Sequence, residues 1–223
     1  VTAGDTLPSA EDRPLPTWTG EQLAVVLSVL FGVNKRGGPD TAAAATALEV
    51  SRRSVQRWLR SGTGGAVRMS KRHLEQVRDL AVPDDVVRRD EERAAAYARD
   101  ALERIALPKG RGVLPAWRDQ QWLDQHLVTV IDLHLGLRQI SLTRVTSRTQ
   151  QRGERTRAGT LLDFCVVATR FHAQLLVHAV LTEVQPWRVR GRARAPRQGA
   201  SHTWLPDAPH TDLSAMAVAH GLR

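Results

Sequence analysis

Apolar residues in the first third of the chain recur at the spacing of helix faces. Leu23, Val26, Leu27 and Leu30 form one stripe. Thr19 stands three residues before Gln22, the spacing at which the two side chains cap each other's backbone and open a helix. Gly32 and the run "NKRGGP" end it, since glycine accepts the left-handed conformation that closes a helix. Asp40 caps the next helix, whose alanines allow close packing. A bend at Glu49–Ser51 leads to a helix over 52–60, and "SGTGG" terminates that one. Ser70 caps a fourth helix to about Ala81, with Leu74, Val77 and Leu80 expected to face inward. Pro83 and Asp84–Asp85 open a longer helix to about Ala106. Asp90, Glu91 and Glu92 lie early in it, which suits the helix dipole. Its thin apolar stripe is Val87, Ala94, Tyr97, Ala101 and Ile105.

After the proline- and glycine-bearing stretch "LPKGRGVLP" the period changes. "HLVTVIDLHL" and "LRQISLTRV" are β-branched, alternate in polarity and flank Gly136, so two strands are expected. "TSRTQQRGERTRAGT" reads as a long basic loop. Residues 161–184 carry both signals: Leu161, Cys165, Ala168, Phe171, Leu175 and Ala179 make a helical stripe, while Val166, Val167, Val177 and Val180 favour a strand. The stripe points to a helix throughout. The expected organisation is a flexible arm (1–17), a helical domain (18–82), a connecting helix and linker (83–115), an α+β domain (116–186) and a basic flexible tail (187–223). The fold class is α+β: an N-terminal all-α bundle, then a long helix, then a C-terminal mixed α/β domain. A chain of 223 residues can bury one sizeable core or two smaller ones.

Charge narrows the choice of partner. Lysine and arginine number 32 against 23 acidic residues, a formal charge of +9, and only Lys35, Lys71 and Lys109 are lysines. A GC-rich coding sequence accounts for arginine over lysine but not for the positive excess. Arginine's planar fork of donors suits phosphate oxygens and guanine edges, so a polyanion is the expected partner. The single cysteine, Cys165, excludes an intramolecular disulfide and a cysteine-based zinc cage. The longest apolar run, Leu23 to Val33, is too short to span a bilayer. Residues 1–17 lack the apolar core of a secretory leader. A soluble cytoplasmic protein without a membrane partner is expected.

The stretch "DTAAAATALEVSRRSVQRWLRSG" (40–62) concentrates these features. Ala45 is small enough for a second helix to cross the first, and Val50 follows the bend. Ser51 is a helix cap, and Val55 with Trp58 or Leu59 makes inward anchors. The outward set is then Arg52, Arg53, Gln56, Arg57 and Arg60, of the two residue types best able to contact guanine and adenine edges in pairs of hydrogen bonds. The stretch resembles the helix-turn-helix superfamily found in phage and plasmid repressors. It is also similar to the helix-turn-helix of terminal proteins from actinobacterial linear replicons. In the superfamily the turn usually carries a left-handed glycine; Glu49 occupies that place here. The resemblance covers none of the second half. It implies double-stranded DNA as partner, with Ser51 capping the reading helix, Arg52, Arg53, Gln56 and Arg57 reading bases, and Arg60, Lys71 and Arg72 holding the backbone.

Other constellations are thinner. "WRVRGRARAPRQ" sets Arg188, Arg190, Arg192, Arg194 and Arg197 at nearly alternate positions. Its "RGRA" core looks like the minor-groove AT-hook, but Ala193 replaces the expected proline, so a phosphate-binding arm or a merely solvated tail is the better reading. Asp132, His134 and His126 fit no familiar metal spacing, and His172 and His178 are six apart, off one helical face. Tyr97, the lone tyrosine, has no histidine pair beside it. Asp124, Asp132, Asp163 and Glu183 have no spacing that demands a nuclease centre. No catalytic residue, metal, cofactor or small-molecule ligand is therefore expected. The expected function is a transcriptional regulator of a phage, plasmid or other mobile element. Its second domain would form a homodimer, bind a partner or grip flanking DNA. The alternatives are a replication or terminal protein of a mobile element, and a nuclease or transposase-like enzyme.

Overall fold

The reciprocal cap expected at the first helix is formed. Oγ1 of Thr19 accepts from the Gln22 backbone N–H at 3.2 Å, and Oε1 of Gln22 accepts from that of Thr19 at 2.7 Å. The computed structural model of the chain describes residues 17–60, 66–81, 85–133, 137–146, 155–156, 159–189 and 202–222. It divides into two units, Val1–Leu80 and Ala81–Arg223. The expected arm up to residue 16, most of the basic loop, the "SGTGG" terminator, Pro83–Asp84, His134 and residues 190–201 lie outside the described residues.

The first unit is helical. Helix α1 (Gly20–Phe31) buries Leu23, Val26, Leu27 and Val29, and Gly32 closes it at φ 94°. Asp40 caps α2 (Thr41–Ala47) by accepting from the N–H groups of Ala42 and Ala43. Helix α3 (Arg52–Leu59) buries Val55 and Trp58. In α4 (Lys71–Ala81) the buried residues are Val77, Arg78 and Ala81, with Leu74 half-buried. Leu80, expected inside, is 43% exposed: at about 100° per residue the buried face centres between Val77 and Arg78, roughly 110° around the helix from Leu80.

The second unit begins with α5 (Asp85–Ile105), which buries Ala95, Ala98 and Ala101. The expected inward positions Ala94 and Tyr97 lie to one side of this row. Methyl-sized side chains let α5 approach a neighbouring helix, and Tyr97 instead uses its hydroxyl, accepting from the Trp117 indole N–H at 2.8 Å. Within the expected linker, Val113 packs against the same core. Short helix α6 (Pro115–Asp119) drives Trp117 against Phe171, Ala98 and Ala101.

Among the described residues a five-stranded antiparallel sheet follows, in the order β3-β4-β1-β2-β5. Strands β1 (His126–Leu133) and β2 (Leu137–Arg144) are the two expected strands, and they pair antiparallel. Short β3 (Arg155–Thr156) and β5 (Thr203–Trp204) edge the sheet, and β4 (Gly159–Val167) pairs with β1. One sheet face, with Val128, Val130, Ile140, Cys165 and Val167, packs on α7 (Arg170–Glu183) and α8 (Leu213–Ala219). Phe164 and Val166 project from the other.

Two expectations are corrected here. Residues 161–184 are strand, then helix, not one helix. Cys165 and Val167 alternate with exposed Phe164 and Val166 in the two-residue period of a half-buried strand, and Thr169 caps the helix that follows. The stretch from 202 to 222 is no flexible tail. It supplies β5 and α8, whose Trp204, Leu213 and Ala217 are fully buried in the sheet–helix core.

Candidate nucleic-acid interface

The joint between α2 and α3 is built from local hydrogen bonds and one unusual backbone conformation. Glu49 takes φ 54°, the left-handed region where glycine is usual. Val50 N–H then donates back to the Ala45 carbonyl at 3.0 Å. Ser51 opens α3, its Oγ accepting from the Ser54 N–H at 3.1 Å. Val55 is wholly buried, and the Trp58 ring lies 5.3 Å from the His73 ring on α4. The His73 imidazole is held in turn by the Ser70 hydroxyl at 2.7 Å. Sequence reasoning missed His73, because an imidazole on a polar helix face carries no periodic signal.

With Val55 and Trp58 inward, the opposite side of α3 presents cationic and polar groups. Arg53, Arg57 and Arg60 are exposed and Gln56 is half-buried. With Ser51 and Ser54 they line a half-open hollow of about 360 Å³. Its walls offer three guanidinium forks, two hydroxyls and one amide, with no carboxylate among them. Guanidinium keeps its charge at any ordinary pH, so the hollow favours an anionic or oxygen-rich surface over a cation. Between residues 17 and 80 there are ten basic and five acidic side chains.

The remaining expected contacts are placed differently. Arg52 is not among the lining residues; its Nε–H donates to Oγ1 of Thr41 at 3.0 Å, tying the start of α3 to the start of α2. Lys71 and Arg72 lie in the first turn of α4, both highly exposed, 3.9 Å from Glu75 and 3.8 Å from Glu49 respectively. Such exposed pairs are loose and yield readily to a phosphate.

Arg188 departs from the phosphate-binding arm expected of it. Its side chain is 4% exposed, and both terminal nitrogens donate to the two Glu91 oxygens, at 2.7 and 2.6 Å. Residue 188 bridges to Trp204 at the sheet edge, which carries its side chain inward. It is an internal strut, not part of a phosphate-binding arm. Arg190, Arg192 and Arg194 lie outside the described residues.

Several of the residues weighed for chemistry have structural partners. Asp163 accepts from the N–H groups of Phe164 and Leu213, at 2.7 and 2.8 Å, and so anchors the start of α8. Asp124 sits 3.6 Å from Arg144. His172 bonds the Thr169 hydroxyl at 2.8 Å, and His126 lies 2.8 Å from the Asp124 carbonyl oxygen. Burial holds the imidazoles of His126, His172, His178 and His202 below the usual histidine pKa; for His202 the neighbouring Glu91 opposes this and Arg188 adds to it. Among the described residues, no three His, Cys, Asp or Glu side chains are gathered to hold a metal, and no helix is long and apolar enough to cross a membrane. No protein-family model, curated protein or solved structure matches the chain.

Proposed function

We propose that this chain is a double-stranded DNA-binding protein that reads the major groove with α3. The observation that carries the reading is the two-sidedness of that helix. Val55 and Trp58 are inside, while Arg53, Gln56, Arg57 and Arg60 converge on one outward hollow. A helix so divided fits a groove wide enough for an α-helix and lined by the acceptors that arginine and glutamine pair with. The α2–turn–α3 joint supports a helix-turn-helix arrangement, because Glu49 adopts the left-handed turn conformation and Ala45 lies buried beneath the crossing. Lys71 and Arg72 are then backbone contacts, as the low worth of their exposed ion pairs allows. Within DNA binding, the role is transcriptional regulation in a phage, plasmid or other mobile element; this part rests on the resemblance of residues 40–62 to repressors of that kind.

Titration of labelled duplex from a random-sequence pool, before and after selection, tests the reading. Selection is expected to yield duplexes bound at least about a thousandfold more tightly than random ones at the same salt, the usual margin of a specific binder. Selected and unselected duplexes bound equally would reduce the chain to a nonspecific polycation.

A further inference from the structure

We propose that the four outward residues of α3 and Arg60 at its C-cap divide into two roles. Arg53, Gln56, Arg57 and Arg60 read base edges, chiefly guanine, and Arg52 is a positioning residue that sets α3 against α2 through Thr41. This division rests on the DNA-binding reading above and goes beyond it.

The helix turns about 100° per residue, so residues 53, 56, 57 and 60 gather on one side and 55 and 58 on the other. Residue 52 falls on the flank between them. The contacts agree with this placement: the four lie around a single hollow that Arg52 does not line, and the Arg52 Nε–H donates to the Thr41 hydroxyl. Thr41 is 9% exposed and is the first residue of α2, so the acceptor is held by packing rather than left to swing. A guanidinium fixed at Nε to one helix and rooted in the next acts as a brace across the joint. The joint needs one, because its turn runs through a left-handed Glu49 rather than a glycine.

The reading set also specifies the chemistry of its target. Three of the four members are arginines, whose paired donors match O6 and N7 of guanine, while glutamine matches N7 and N6 of adenine. The recognised duplex should therefore carry guanine at most of the base pairs that α3 faces.

The test uses the full chain, a duplex selected from a random pool, and the single-base variants of that duplex. Arg53→Ala is expected to lose about 5- to 150-fold of discrimination at one or two base pairs and to keep it elsewhere. Arg52→Ala and Thr41→Val should each weaken binding to every duplex by a common factor, with base preferences unchanged. Combined, they should weaken it no more than the stronger single change. Thr41→Ser, which keeps the hydroxyl, should restore wild-type affinity. Melting curves taken in the binding buffer establish that each variant is folded. The division of roles is overturned if Arg52→Ala erases preference at a particular base pair, if Thr41→Val binds like wild type, or if the selected sites lack guanine. Failure of the wild type to enrich any duplex overturns the DNA-binding reading itself, a separate outcome.

Discussion

Trp58 and Arg53 lie five positions apart on a short helix, and their replacements should have opposite effects. Trp58 is 4% exposed and packs on His73, so Trp58→Ala removes a buried aromatic and should cost about 3–5 kcal/mol. In a helical unit of this size such a loss should appear as early melting, with DNA binding falling through unfolding. Arg53→Ala removes an exposed side chain and should shift stability by less than about 0.5 kcal/mol while altering base preference. Glu49 offers a third test. Relief of its left-handed strain is worth about 1–2 kcal/mol, and the added freedom of an unfolded glycine returns about 0.4–1. Glu49→Gly should therefore raise the denaturant midpoint slightly. A lowered midpoint would mean that the exposed ion pair with Arg72 matters more than the strain.

Among the elements, the Arg188–Glu91 strut separates a structural arginine from a phosphate-binding one. Removing one partner of a buried pair strands the other charge, typically at a cost of about 3–5 kcal/mol. Arg188→Ala should lower the melting temperature of the second unit and leave the salt dependence of DNA binding unchanged. An unaltered melting temperature with a shallower salt slope would return Arg188 to the arm.

This residue also marks where the sequence ceased to be legible. Caps and strand alternation are local chemistry: the caps at Thr19, Asp40 and Ser51 and the existence of β1 and β2 all follow from residues within a few positions of one another. The inward anchors of α3 were legible for the same reason. Arg188 meets a glutamate 97 residues earlier, and Arg52 a threonine 11 earlier; spacing along the chain does not encode such pairs. In 161–184 a helical stripe coincided with a two-residue alternation, and only pairing with β1 decides between them. The C-terminal helix had its signal in "TDLSAMAVA", with Asp212 accepting from the Ala215 N–H, but the arginines before it dominated the reading.

At the scale of the whole molecule, pH and charge set the conditions. Four histidines are held below their usual pKa by burial, so the folded chain resists protonation that the unfolded chain accepts. Their contribution to stability is intact above the unfolded histidine pKa of about 6.5 and is lost as pH falls through the lowered folded values. The melting temperature should decline from pH 7 toward pH 5, and His202→Gln should make that decline shallower. A melting temperature that is flat across this range would contradict the burial of these imidazoles.

The formal charge of +9 draws the chain to any polyanion, so affinity alone cannot separate reading from attraction. Methylation interference at guanine N7, an atom that lies in the major groove, makes that separation. If α3 reads bases, premethylation of guanines within a short stretch of a selected duplex should block binding by the wild type, and at least one of those guanines should cease to matter to Arg53→Ala. If N7 methylation nowhere interferes while the duplex still binds, α3 does not lie in the major groove.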